Sequence, residues 1–437
     1  MNERLIRGRL LSFRRAPEAA DDYDCCAYVE DGAVLVLDGV IVASGSFEEV
    51  SAEASVNCPI DDHRPNLLLP GLIDTHIHYP QMQVIGSWGA QLLDWLNKYT
   101  FVEEQKFGDA GHADRIAGCF FDEMVRHGTT TAVAYCSVHR ESAESFFSEA
   151  ERRNMRMIGG KVMMDRNAPD ALTDTPQSGY DDSRTLISKW HGRSRCLYAI
   201  SPRFAITSSP EQMEMAGALM REHPDCYMQT HLSENKDEIA FAGELYPDAP
   251  DYTGIYEHYG LLGNKSLFGH SIHLSERERA VMAESGSVAV FCPTSNLFLG
   301  SGLFDMDGLA AAGVRSAVAT DVGGGTNLSM LKTLDEAYKV LQLRGQKLTP
   351  LRSFYWMTRG NAEALSLSNR IGTLDAGSEA DLIVIDSRAT PAMALRMETV
   401  TTLSEELFVV QTMGDDRAVA ETYVAGSPSK SVLKDTH

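Results

Sequence analysis

The chain has 437 residues, 43% hydrophobic and 23% charged, which places it among folded globular proteins with room for one large barrel and a smaller second unit. Its 39 Lys and Arg against 61 Asp and Glu give a formal net charge of -22, which repels nucleic acid phosphates and anionic membrane surfaces. Neither is expected as a partner, and no run of about 18 uncharged apolar residues offers a membrane span.

The N-terminus, MNERLIRGRLLSFRR, is basic but lacks the uninterrupted apolar stretch of a signal peptide, and it reads as a first β-strand. Residues 1–66 continue with the short β-rich runs GAVLVLDG and VIVASG, separated by Gly and Asp turn signals. From residue 67 onward, eight apolar strand-like runs alternate with amphipathic helical stretches, the pattern of βα units winding a parallel sheet. The runs are 67–78 (LLLPGLIDTHIH), 130–138, 156–164, 196–204, 227–234, 266–274, 288–296 and 315–323. Eight in succession predict an α/β fold with a closed (β/α)8 TIM-type barrel over 67–375. SFFSEAERRN and LKTLDEAYKVLQLRG are helical stretches with apolar residues at three- and four-residue steps. The polar stretch 165–183 predicts a long loop after a strand, on the face where a barrel keeps its active site. Near the end EADLIVID (379–386) and AVAETYVAG (418–426) are strand-like again. Residues 376–437 are therefore expected to join 1–66 in a small β-sandwich domain, with the barrel inserted between them. No internal repeat with a period of about 20 to 50 residues is visible.

The eight cysteines, Cys25, Cys26, Cys58, Cys119, Cys136, Cys196, Cys226 and Cys292, form no CxxC pair and mostly occupy apolar stretches. Reduced core thiols in a cytoplasmic protein fit them better than disulfides or a cysteine zinc site.

His76 and His78 stand two apart in DTHIH, at the end of a run that reads as a buried strand. Side chains two apart on a strand share a face, so both imidazoles would enter the barrel mouth together, a start on a zinc or iron site. Alone, HxH arises by chance in many chains and equally describes two hydrogen-bonded core histidines. Further ligand-type residues recur at the ends of later runs: His231 and Glu234 in THLSE, His270 in FGHSIHL and Asp321 in ATDVGGG. In a barrel these ends converge.

This spacing resembles the amidohydrolase superfamily along nearly the whole chain. The resemblance implies one metal held by His76, His78, His231 and Asp321, with an activating water between metal and substrate. The fourth-strand region has no lysine where two-metal members carry a bridging carbamate. Within the superfamily, PGLIDTHIHYPQ, GAQLLDWLNKYTF, MDRNAPD, SPRF, THLSEN and TDVGGGTNLSML resemble segments of the guanine deaminase family, in order. Val102 and Glu103 depart from that pattern, in which a proline follows KYTF.

On this resemblance the reaction is hydrolysis of guanine to xanthine and ammonia. A divalent metal lowers the pKa of water toward about 7, and Glu234 then carries protons from water to ring nitrogen to leaving amine. Asp321 would share that shuttle and His270 would polarise the substrate or steady the tetrahedral centre. Gln81, Arg203 and Phe204 would read and pack the base, with His78, His231, Glu234 and His270 also touching it. Arg203 has a rival reading as an ion pair at the surface or core edge, and Trp88 and Trp95, on a stretch that reads as helix, fit the core as well as the substrate. Three imidazoles and a carboxylate suit Zn2+, one per subunit, without excluding Fe2+ or Mn2+. The resemblance further implies a homodimer. His63, His112, His127, His139, His191, His223, His258, His273 and His437 stay structural or surface residues. The GGG at 323–325 lacks a following GK[ST] and reads as a tight turn, and the HxE with PCxxC signature of other base deaminases is absent. Two other readings stand beside this one: a relative acting on 8-oxoguanine or an aminotriazine, and a non-catalytic assembly protein of the same superfamily.

Overall fold

A computed structural model describes residues 2–89 and 92–433, so Ala90 and Gln91 of the GAQLL stretch, and His437, lie outside the described residues. The chain opens with β1 (Glu3–Phe13), β2 (Cys26–Leu37), β3 (Val40–Ser46) and β4 (Ile60–Pro70). Next come β5 (Leu72–His78), β6 (Thr129–Tyr135), β7 (Arg156–Gly160), the short β8 (Val162–Met163) and β9 (Cys196–Pro202). They are followed by β10 (Tyr227–Leu232), β11 (Ser266–His270), β12 (Val288–Phe291) and β13 (Arg315–Val318), then by β14 (Leu382–Ile385), β15 (Val419–Val424) and β16 (Ser427–Pro428).

Strands β5, β6, β7, β9, β10, β11, β12 and β13 pair in that order, all in parallel, with β8 beside β9. The two ends of this sheet meet: His78 N donates to Val322 O (2.7 Å), Asp321 N to His76 O (2.9 Å) and Thr75 Oγ1 to Val318 O (3.1 Å). The expected eight-stranded barrel is thus present, its seam closed partly by the segment just beyond β13. β5, β6, β7, β11 and β12 are buried at every residue, as parallel strands covered on both faces must be. Ile73, Val133, Ile158, Ala199, Tyr227, Leu267, Val288 and Ala317, one from each strand, share an inner core closed off by Ala362, Leu365 and Ile371. This plug seals one end and leaves the C-terminal strand ends as the open one.

The terminal strands form one mixed sheet in the order β16-β15-β14-β4-β1-β2-β3, so N- and C-terminal segments pair as expected, in a single continuous sheet where a sandwich was expected. Arg156 and Arg195, on or beside barrel strands, bind Glu379 and Asp381 ahead of β14, fixing that sheet against the barrel.

Four expectations change in detail. The run 67–78 is two strands, because Leu67–Pro70 completes β4 and pairs antiparallel with β14, and only Leu72–His78 enters the barrel. The run 288–296 ends as a strand at Phe291, since Pro293 opens the helix Pro293–Phe298. The stretch 165–183 is a loop only to Thr175; Thr175 caps the helix Pro176–Trp190, with Pro176 in its first turn and Ser178 completing a capping box. Residues 376–437, expected to contribute strands to a β-domain, also hold the helices Pro391–Met397 and Leu403–Met413 between their two strand-like runs. The second of these packs on the barrel helix Met330–Leu343, with Gln411 Nε2 donating to Leu334 O (3.1 Å). Among the described residues no helix is long and apolar enough to cross a membrane.

Candidate active site

Ile73 faces the barrel interior, and strict alternation would then turn His76 and His78 outward. The pairing of β5 with β6 shifts register between Asp74 and Ile77, and this irregularity re-aims both imidazoles into the mouth. Asp74, which is fully buried, secures the shift by accepting from Thr320 N (3.1 Å), Thr320 Oγ1 (2.5 Å) and His76 N (3.3 Å). Across the barrel, Gly269 leaves room for the His76 ring, because a Cβ there would lie 2.5 Å from His76 Cε1. His270 and Asp321 turn off the ends of their strands with φ of +69° and +52°, left-handed conformations that cost of order 1 to 3 kcal/mol each and persist where surrounding packing imposes them.

The four residues named as ligands converge. His76 Nε2 and His78 Nε2 lie 3.3 Å and 3.4 Å from Asp321 Oδ1, and His78 Nε2 lies 3.2 Å from His231 Nε2. His231 Nδ1 donates to Arg203 O (2.7 Å), so its Nε2 carries a lone pair that faces His78. His76 Nε2 is buried without a hydrogen-bond partner among the described residues. Tetrahedral ligands about 2.1 Å from a cation sit about 3.4 Å apart, so these spacings and unpartnered lone pairs fit one divalent ion. Burial holds His231 well below the usual imidazole range and lowers His78 to about 4 despite Asp321 beside it, so both rings are neutral, as ligands must be. Burial opposes ionisation of Asp321, but the His76 and His78 rings against it outweigh that and keep its carboxyl well below the carboxylate range. His76, His270, Cys292 and Asp321 form an overlapping cluster, but burial pushes the Cys292 thiol far up and keeps it protonated, so the histidine-rich set is the better holder.

Glu234 stands beside this cluster. Its Oε2 lies 3.3 Å from His270 Nε2, its Oε1 accepts from Ser301 Oγ (2.9 Å), and burial, with Asp321 adding to it, pushes its carboxyl up to about 8. His270 Nδ1 donates to Asn296 Oδ1 (2.9 Å), which orients the ring. Tyr135 stacks on His78 with centroids 4.4 Å apart.

Every residue named for catalysis or substrate lines a single cavity: His78, Gln81, Arg203, Phe204, His231, Glu234, His270 and Asp321. His76 sits behind it. Trp95, with Leu92 and Leu96, forms an apolar wall, whereas Trp88 lies outside any helix and is 71% exposed. The ion-pair reading of Arg203 also holds: Nη1 donates to the buried Glu104 Oε2 (2.7 Å) while the same side chain lines the cavity. The loop 165–175 does not reach the cavity. It braces the loop carrying Phe204, through Arg166 Nη2 to Ala205 O (2.9 Å) and Asn167 Nδ2 to Ile206 O (2.7 Å). His63, His191 and His273 bond to Tyr423, Asp225 and the Ser301 carbonyl, which are structural contacts.

Sequence reasoning missed Glu104, Asn296 and Ser301. Pro293 signals the helix that delivers Asn296, whereas nothing local marks Glu104, whose partners Gln81 and Arg203 lie 23 and 99 positions away, or Ser301, which lies 67 positions from Glu234.

The Amidohydrolase family model matches residues 67–428. Guanine deaminase of Escherichia coli is 45% identical over 422 residues, spanning 96% of each chain, and the solved structure of E. coli guanine deaminase superposes with a TM-score of 0.95 at 44% identity, covering 98% of this chain and 99% of that one. Guanine deaminase from C. acetobutylicum, solved with guanine bound in its active site, is 29% identical with a TM-score of 0.87, covering 98% of this chain and 100% of the other. Matched along almost its whole length in both sequence and fold, and carrying the converged His and Asp cluster at its barrel mouth, this chain belongs to the amidohydrolase family and, within it, to the guanine deaminases.

Proposed function

We propose that this chain hydrolyses guanine to xanthine and ammonia, using residues 67–375 as its catalytic unit and residues 1–66 with 376–437 as an appended β-domain. The observation that carries the reading is one cavity in which a cation-type cluster faces a donor-rich wall of Gln81 and Arg203. His76, His78, His231 and Asp321 would hold one Zn2+, with Fe2+ or Mn2+ also suited to three imidazoles and a carboxylate. Such a cation lowers the pKa of water toward about 7 and so makes hydroxide available at neutral pH.

Glu234 moves the protons. A carboxyl with a pKa near 8 both accepts and delivers protons close to neutrality, and its position beside His270 keeps it next to the reacting centre. It takes one proton of the attacking water and passes it to a ring nitrogen as the oxygen adds to C2, then takes the remaining proton of the added hydroxyl and delivers it to the amine, which leaves as ammonia while the C2 carbonyl forms. Asp321 shares in that transfer. His270, oriented by Asn296, hydrogen-bonds the tetrahedral centre. His78 and His231 border the reacting edge, and Phe204 packs against the base.

Arg203 and Gln81 present N–H groups that suit guanine, whose O6 and N7 are adjacent acceptors, and oppose adenine, whose N6 amino group is a donor. The C. acetobutylicum enzyme, which contains guanine, supports this substrate. A cytoplasmic location is supported by eight unpaired cysteines, and a homodimer by the family resemblance alone.

Arg203→Ala is expected to lower kcat/KM for guanine about tenfold to a hundredfold, because a substrate acceptor and Glu104 both lose a buried partner, while metal content stays at the wild-type level. Steady-state kinetics with guanine, adenine and ammeline on both proteins check this. Equal loss on all three substrates would make Arg203 a loop support, and a wild-type preference for ammeline or adenine would overturn the substrate.

A further inference from the structure

Glu104 stands behind the cavity wall. It is 1% exposed at the end of the helix Phe101–Glu104, and its backbone carbonyl accepts from Ser137 Oγ (3.1 Å). Both carboxylate oxygens are engaged: Oε1 accepts from Gln81 Nε2 (2.8 Å) and Oε2 from Arg203 Nη1 (2.7 Å). The other end of the Gln81 amide is fixed too, since its Oε1 accepts from Gly323 N (3.0 Å). Only glycine permits that approach, because a Cβ at position 323 would lie 2.8 Å from the Gln81 backbone oxygen.

The chain of bonds from Gly323 through Gln81 to Glu104 and back from Arg203 runs in one sense. Turning the Gln81 amide over would set N–H against N–H at Gly323 and oxygen against oxygen at Glu104. Arg203 makes no other side-chain hydrogen bond among the described residues and lies 5.5 Å over the Phe101 ring, so its remaining N–H groups are free for a molecule in the cavity.

The geometry points to Glu104 as a specificity-determining positioning residue, which locks Gln81 and Arg203 into one donor-rich array matched to a purine with adjacent acceptors at O6 and N7. The inference rests on the guanine reading above. A carboxylate is required because one group must accept from both neighbours at once. A neutral amide at position 104 has a single oxygen; it would keep that oxygen on charged Arg203 and turn an N–H toward Gln81, forcing the Gln81 amide around.

The test compares wild type, Glu104→Gln, Gln81→Glu and the double variant as full-length metal-loaded proteins. Each is assayed with guanine and with 2-aminopurine, which keeps the reacting amine and lacks O6. Glu104→Gln is expected to raise KM for guanine about tenfold or more, with kcat within about threefold of wild type and metal content unchanged. For 2-aminopurine the expected change is below about threefold, so the preference for guanine narrows. In the double variant the carboxylate at 81 accepts from both Gly323 N and the amide at 104, whose oxygen keeps Arg203. It is expected to regain at least about threefold of the lost KM relative to Gln81→Glu, in which two carboxylates face each other. Equal losses on both purines, a kcat loss at unchanged KM, or single losses that simply multiply would overturn the inference. Should Glu104→Gln fail to fold, Gln81→Glu and the double variant decide: no gain of the double over Gln81→Glu would overturn it as well. Wild type that releases no ammonia from guanine would instead overturn the guanine reading, and this inference with it.

Discussion

Glu234→Gln is expected to bind metal as wild type does and to turn over guanine about a hundredfold or more slowly, the usual result of removing a general acid/base. Glu234 is outside the four-residue cluster, so its loss leaves the proposed holders of the metal in place. The amide fills the same buried space and still accepts from Ser301 Oγ through its oxygen, but it cannot take up a proton. The expected signature is therefore a fall in kcat with unchanged metal content, read by steady-state kinetics and elemental analysis. Near-normal turnover would move the proton transfer to Asp321 or His270.

His231→Ala is expected to lose metal and activity together. Affinity should fall by more than the roughly 10- to 100-fold that follows loss of a residue that merely orients a ligand. Two effects combine: one imidazole disappears, and the Arg203 carbonyl loses the ring N–H that held it. The fold should survive, because the barrel's inner core lies below the site and draws on all eight strands without His231. Elemental analysis, circular dichroism and ammonia release read the three consequences. Retention of about one equivalent of metal with full activity would remove His231 from the ligand set, and two required equivalents in wild type would contradict a single-cation site.

The eight barrel strands were legible because a parallel strand covered on both faces is a continuous apolar run, and such runs recur at βα spacing. Their ends were less so. The run 67–78 reads as one strand since Leu67–Leu69 and Leu72–Ile73 are equally apolar, and only the three-dimensional pairing assigns them to different sheets. Thr175 with Pro176 was a readable helix start that the polar character of the stretch concealed. At the site, His76, His78, His231, Glu234, His270 and Asp321 were legible from residue type at strand ends. The register shift that turns His76 and His78 inward, and the left-handed φ values of His270 and Asp321, were not, because pairing across the barrel imposes them. Glu104 was invisible for the same reason: it is 23 positions from Gln81 and 99 from Arg203, and only folding makes it their common partner.

Hydrolysis at C2 of guanine is tested most directly by incubating the metal-loaded protein with guanine in water enriched in oxygen-18 and analysing the purine by mass spectrometry. The predicted product is xanthine carrying one solvent oxygen, formed with one ammonia for each guanine consumed. Recovery of unchanged guanine, or a product without solvent oxygen, would contradict the proposed reaction.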